Sequence, residues 1–201
     1  MAGAGQRRGS DTKARIRKVA LDLFTEQGYE STSLREIAER LGITKAALYY
    51  HFSSKEDIVR SLFTDYLEAL DSMVTWAQEQ PSEPDLRAKA VDRMVDLLTG
   101  EGMAAMRFAV ANQRVVRDLD PDRGGALERL SELFKTLAGP DVSVDEELRL
   151  RTALLSVNIV LIASRGLDVS DEKIISVARD IAHQLVPTAG STGHHTAADH
   201  S

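Results

Sequence analysis

Apolar residues recur along this chain at three- and four-residue spacing, with little strict alternation, and that rhythm predicts helix throughout. Ile16, Val19, Ala20, Leu23 and Phe24 form one stripe of a first helix over about residues 11–27, and Gly28 follows as its C-cap. Ser33 with Glu36 three residues on reads as a capping box that opens a second helix, ending near Leu41. Gly42 stops that helix, and Thr44 caps a third, very short one running to about Tyr50. Ser53 and Ser54 stand ahead of Glu56 and Asp57 and start a long fourth helix toward Gln80. Beyond Pro81 the pattern predicts helices near 85–99, 102–117, 124–137, 144–165 and 171–186, with breaks at 100–102, 120–125, 139–140 and 166–170. The expected fold class is all-α.

The most informative stretch is STSLREIAERLGITKAALYYHFSSKEDI, residues 31–58. Ile37, Ala38 and Leu41 put apolar atoms on one face of the second helix. Ile43 and Leu48 close over them, with Phe52 just beyond as core. Ala38 is small where two crossing helices approach, and Gly42 allows the sharp turn between them. This is the logic of a helix-turn-helix unit, whose second helix faces the major groove of DNA.

With Ile43 and Leu48 assigned to the core, the third helix is left with Thr44, Lys45, Ala46, Tyr49 and Tyr50, and His51 at its end. Short side chains at its start allow close approach to base edges. A Thr44 or Ala46 methyl can pack on a thymine methyl, and Lys45 can donate to guanine O6 or N7. Tyr50 and His51 can donate to phosphate oxygens. Lys55 adds charge beside the positive dipole end of the fourth helix. Thr32, Ser33 and Arg35 are expected to reach the backbone from the second helix. Charge agrees with this picture: residues 1–60 carry 11 basic against 8 acidic side chains, whereas the remainder carries 14 against 23. Arg7 and Arg8 lie in a Gly/Ala-rich arm over residues 1–10, read either as disordered or as a minor-groove arm.

Thr32, Ile37, Ala38, Gly42, Ile43, Thr44, Leu48, Tyr49, His51, Phe52, Ser54, Lys55 and Ile58 stand in register with the N-terminal domain of the TetR family of bacterial transcriptional regulators, which this sequence resembles. Phe24 and Gly28 fit as well, so the resemblance covers about residues 11–60. It implies a DNA-binding domain over 11–55 and an effector-binding and dimerisation domain over 56–186; composition alone reads the small, polar tail over 187–201 as disordered. It also implies a homodimer formed by packing the final two helices into a four-helix bundle. The partners expected are a palindromic double-stranded DNA operator, a second copy of the chain, and a small-molecule effector that releases a repressor from DNA.

The acidic body adds candidate residues. In the helix near 144–165, Leu150, Leu154, Val157 and Leu161 make one stripe, while Leu155, Ile159 and Ile162 make a second. In the last helix Ile174, Ala178, Ile181 and Leu185 make one, with Ile175, Ala182 and Val186 beside it. A helix apolar over much of its circumference needs two partners, either both from one core or one from another subunit. Leu155, Ile159, Ile162, Ile175 and Ala182 are the dimer candidates. Met73, Trp76, Met94, Met103, Met106 and Phe108 are adaptable residues of the kind that line apolar pockets, and Arg107, Asn112, Gln113 and Asn158 can orient a ligand among them.

Other classes find less support. There is no cysteine, so disulfides, thiolate metal sites and cysteine nucleophiles are excluded. HExxH, a P-loop, GxGxxG and GxSxG are all missing, so an all-helical enzyme is the weakest alternative, and no cofactor or metal is expected. His194, His195 and His200 in the tail read as solvated. The opening residues lack the apolar core of a secretory signal, and the greasiest run, 153–163, is too short to cross a bilayer, which points to a cytoplasmic protein. A DNA-binding regulator, activator or repressor, controlled by a protein or by nothing is the other reading.

Overall fold

Hydroxyl side chains start five of the helices. Ser33, Thr44, Ser54, Ser143 and Ser170 each accept a hydrogen bond from the backbone N–H three residues on, satisfying a donor that has no partner inside its helix. The computed structural model describes the backbone of residues 3–80, 85–119 and 124–187, and side chains from Asp11 onward within those spans, Gly125 being the first after the second gap. In chain order its elements are α1 (Gly3–Gln27), α2 (Leu34–Leu41), α3 (Lys45–His51), α4 (Lys55–Glu79), α5 (Leu86–Asp96), α6 (Glu101–Ala111), α7 (Gln113–Leu119), α8 (Gly124–Ala138), α9 (Val144–Ala163) and α10 (Asp171–Leu185). The described residues contain no strand, as the spacing predicts. Nearly all of the polar tail expected after Pro187, with its three histidines, lies outside the described residues, as do the side chains of Arg7 and Arg8.

Two boundaries differ from expectation. α1 opens at Gly3 rather than near Asp11. The single helix expected over 102–117 is two, because Asn112 leaves the helical region at φ −120°, ψ 45°. Its side-chain amide donates to the Phe108 carbonyl at 3.0 Å, alongside its own backbone N–H at 2.9 Å. A short polar side chain that competes for backbone partners in this way readily ends a helix.

The apolar side chains gather into two clusters. One takes Ile16, Ala20, Phe24, Ile37, Leu48, Ile58 and Val59 from α1–α4, together with Phe108 of α6. The other is built from α4, α5, α8, α9 and α10, with Met103 of α6, around Leu70, Met94, Leu133, Leu150 and Leu154. Each fully buried aliphatic side chain contributes about 1.5–3 kcal/mol. α4 spans both clusters, with Ile58, Val59 and Leu62 in the first and Leu70 and Met73 in the second. A tilt of this one rod therefore moves both. α10 lies along α9, and α8 along α4.

Candidate nucleic-acid interface and helical cavities

α2 and α3 are set against each other by local chemistry. Ser33 and Glu36 form a reciprocal capping box, with the Ser33 N–H donating to Glu36 Oε2 at 2.7 Å and the Glu36 N–H to Ser33 Oγ at 3.3 Å. Gly42 adopts φ 70°, ψ 30°, and the Ile43 N–H folds back onto the Ala38 carbonyl at 3.0 Å. A Cβ on Gly42 would meet nothing within 4 Å, so conformation rather than space calls for glycine here. Leu48 is the one side chain of α3 that is buried, and Phe52 follows it into the core.

What remains of α3 faces solvent. Thr44, Lys45, Ala46 and Tyr49 are exposed, and Tyr50 is 86% exposed, far beyond what a core tyrosine shows. The Tyr50 and His51 rings meet edge to face at 5.1 Å, and the Lys45 ammonium lies 5.4 Å from the Tyr49 ring centroid. The expected third-helix residues thus come together on one surface. Arg35 also stands exposed on α2, paired to Glu39 at 2.7 Å.

Thr32 is a correction. It is buried, and its hydroxyl donates to the Gly28 carbonyl at 2.8 Å while accepting from Gln27 Nε2 at 3.2 Å. Its atoms are spent holding the α1–α2 turn, so no phosphate reaches them. Ser33 is exposed but engaged in its cap. Lys55 is half-buried: its ammonium donates to the Tyr29 and Glu30 carbonyls at 2.7 and 3.4 Å. The start of α4 is also served by its own side chains. Ser54 accepts from the Asp57 N–H at 3.1 Å, and Glu56, which accepts the Tyr29 hydroxyl at 2.8 Å, is held below the ordinary carboxylate range by its own backbone N–H.

Two cavities in the body adjoin the candidate residues. The first, about 360 Å³, opens between α1, α6 and the α9–α10 connection and is lined in part by Phe24, Arg107, Phe108, Asn112, Arg165 and Leu167. Arg107 is pinned there by an ion pair with Asp171. The second, about 380 Å³, lies among α4, α6, α7 and α8, with Phe63, Tyr66, Leu98, Met106 and Val116 in its wall. Met73 and Met94 are corrections: both are core side chains that line neither cavity, because α5 and α8 close over that face of α4. Trp76 also lies outside both, with the Arg93 guanidinium 4.1 Å from its ring centroid. Tyr66, Asp65 and Glu101 line the second cavity, and sequence reasoning passed over them because their spacing matches an ordinary solvated helix face.

On α9, Leu155, Ile159 and Ile162 form an exposed apolar stripe, opposite the buried Leu150, Leu154, Val157 and Leu161. On α10, Ile181 is exposed and Ile175 half-buried against the core. Ala182 is a correction: it is fully buried in the core, and no second subunit can touch it.

Residues 16–62 match the family model described as bacterial regulatory proteins, tetR family. Over 74 residues the chain is 40% identical to the HTH-type transcriptional regulator AcrR of Shigella flexneri, a match covering 37% of this chain and 33% of that one. Over 68 residues it is 37% identical to IcaR of Staphylococcus aureus (strain Newman), the HTH-type negative transcriptional regulator of the biofilm operon icaADBC, covering 34% and 37%. The chain thus spans about a third of the curated relatives it matches. Its fold as a whole is similar to that of the transcriptional regulator FadR of Bacillus subtilis, solved in complex with stearoyl-CoA, with TM-score 0.58, 18% identity and coverage of 86% of this chain and 96% of that one. With the helix-turn-helix geometry in place and a helical body of similar fold behind it, residues 16–62 match the N-terminal domain of the tetR family of bacterial regulatory proteins.

Proposed function

We propose that the protein is a transcriptional repressor that binds a palindromic operator as a homodimer and leaves it when a small molecule occupies the cavity among α4, α6, α7 and α8. The single observation that carries the reading is the α3 surface, where Tyr49 and Tyr50 stand exposed on a helix anchored by Leu48 alone. Thr44, Lys45 and Ala46 supply base-edge contacts, and Arg35, Tyr50, His51 and Lys55 hold the sugar-phosphate backbone. One such helix makes too few contacts for tight specific binding, so two act together, about 34–36 Å apart in successive major grooves. Leu155, Ile159 and Ile162 of α9, with Ile181 of α10, pair the subunits. The DNA-binding domain covers 11–55 and the effector and dimerisation domain 56–186.

The negative regulation named for IcaR and the acyl-CoA bound to FadR support the repressor and small-molecule parts of this reading. Release follows from α4. It begins at the DNA-facing surface and forms one wall of the cavity, so a ligand that favours a different tilt of α4 changes the spacing of the two recognition helices. The ligand must bind that second state better, since equal affinity for both shifts nothing. Selection of bound duplexes from a random library, followed by footprinting, tests the core of the proposal. An inverted repeat with one-turn half-site spacing is the expected result, and no enriched sequence would end the reading.

A further inference from the structure

Among the side chains lining the 380 Å³ cavity, two are charged, and both are acidic: Asp65 of α4 and Glu101 of α6. Tyr66 adds a hydroxyl, and the rest of the lining is apolar or glycine. Arg17 of α1 reaches across the acidic pair. Its Nη1 lies 2.6 Å from Asp65 Oδ2 and its Nε 2.9 Å from Glu101 Oε2, with only 16% of the side chain exposed. One guanidinium facing two carboxylates leaves that end of the cavity with a net negative charge. The three charges also belong to three helices, so the cluster ties α1 of the DNA-facing domain to two walls of the cavity.

These charges select a ligand. An organic anion would face two carboxylates, Asp65 53% and Glu101 32% exposed, whose repulsion solvent screens only in part. A neutral molecule would gain contact with the apolar lining and nothing from the charged end. A cation gains both. Resting on the reading of this cavity as the effector site, we propose that it takes an apolar organic monocation, an alkyl- or arylammonium, whose charged end binds Asp65 and Glu101 in competition with Arg17. Occupancy then loosens α1 from α4 and α6, which is a direct route from ligand to DNA-binding domain.

The test is calorimetric titration of the full chain with three near-isosteres: phenylbutylamine, phenylbutanol and phenylbutyrate. The amine binds at least about tenfold tighter than the alcohol, as charge-assisted hydrogen bonds require, and the acid does not bind. Asp65→Asn and Glu101→Gln, singly and together, bring the amine down toward the alcohol. Arg17→Met makes amine binding about two- to fivefold tighter by removing its competitor and leaves the alcohol unchanged. A purely packing role for Arg17 would instead weaken both ligands. Alcohol or acid binding as well as the amine, or an Arg17→Met variant that weakens the amine, overturns the assignment of charge while leaving the cavity as a ligand site. Amine binding that survives Ala105→Trp, which fills the cavity, places the ligand elsewhere. No binding of any of the three overturns both the ligand class and the cavity reading.

Discussion

The Lys55 ammonium donates to the Tyr29 carbonyl at 2.7 Å and sits 4.5 Å from the centroid of the same residue's ring. The first residue of α4 is thereby clamped to the turn between α1 and α2, and the Tyr29 ring packs in turn on Phe24 and Phe108. A side chain expected from the sequence as a phosphate contact is also a fastener between helices.

Lys55→Ala therefore has two effects. Loss of the cation–π contact and the carbonyl bond lowers stability by about 1–2 kcal/mol, read from urea denaturation. Under conditions where the variant stays folded, DNA affinity falls by a similar factor for every duplex tried, and the slope of log affinity against log salt becomes shallower. A normal salt slope would leave Lys55 with the fastening role alone.

Thr32→Val separates structure from recognition in the opposite sense. The buried hydroxyl bridges the Gly28 carbonyl and the Gln27 amide, and valine leaves both without that partner. The expected cost is about 1–3 kcal/mol in denaturation. Once corrected for the folded fraction, DNA affinity should match the unmodified chain, because Thr32 is only 2% exposed and its hydroxyl is engaged inside the fold.

The elements legible from the sequence are those fixed by neighbours in the chain. Ser33 with Glu36, Gly42 in the left-handed region, and Thr44 and Ser54 as caps all act within one turn of where they stand, so the helix-turn-helix follows from spacing. Burial of the Leu150, Leu154, Val157 and Leu161 stripe and exposure of Leu155, Ile159 and Ile162 were legible too, since helical periodicity separates the two faces of α9. Long-range contacts were not. Thr32 turns inward only because α1 ends beside it, and Met73 and Met94 are core only because α5 and α8 close over α4. Ala182 sits on the apolar side of α10, and nothing in its neighbours says which of two partners covers it. Arg17, Asp65 and Glu101 meet across sequence separations of 48 and 84 residues, which no local pattern encodes.

Acid should unfold the protein through its helix starts. Glu36, Glu56, Asp57 and Glu172 all lie in the first turn of a helix and are held below the ordinary carboxylate range. The Ser33 hydroxyl does this for Glu36, the Ser53 hydroxyl for Asp57, and their own backbone N–H groups for Glu56 and Glu172. The fold favours their ionised forms. Their stabilisation is complete above the ordinary carboxylate range and is lost as pH falls through their lowered values. Melting temperature against pH should drop in that window, and Glu56→Gln should make the drop shallower. Tyr29 acts at the other end. Burial, then its bond to Glu56, raises its phenol, so stability is full below the ordinary tyrosine range and declines above it.

Tyr50 has almost nothing to hold it in the free protein beyond its contact with His51. Tyr50→Ala should leave stability within about 0.5 kcal/mol of the unmodified chain, as for other exposed positions. DNA binding should weaken at least about tenfold, measured by fluorescence anisotropy on the selected duplex, through loss of a phosphate donor and its packing on the sugar. Equal affinity would move the interface off the C-terminal end of α3.

Ile159 tests the proposed pairing of subunits. It is 58% exposed at the middle of the α9 stripe, between Leu155 and Ile162, and its side chain contributes to neither apolar cluster. In a two-fold dimer built on this face the same residue appears on both sides of the interface, so one substitution acts twice. Ile159→Glu would bury two unpaired carboxylates, each costing about 3–5 kcal/mol, and so weaken the dimer by well over about a hundredfold. Sedimentation velocity at micromolar concentration should show the unmodified chain as a dimer and the variant as a folded monomer with unchanged helical content. Ala182→Glu is the contrasting case: Ala182 is fully buried between helices of one chain, so that variant should fail to fold rather than dissociate. A monomer before any substitution, or a dimer indifferent to Ile159→Glu, would remove α9 from the interface and with it the spacing mechanism that depends on α9.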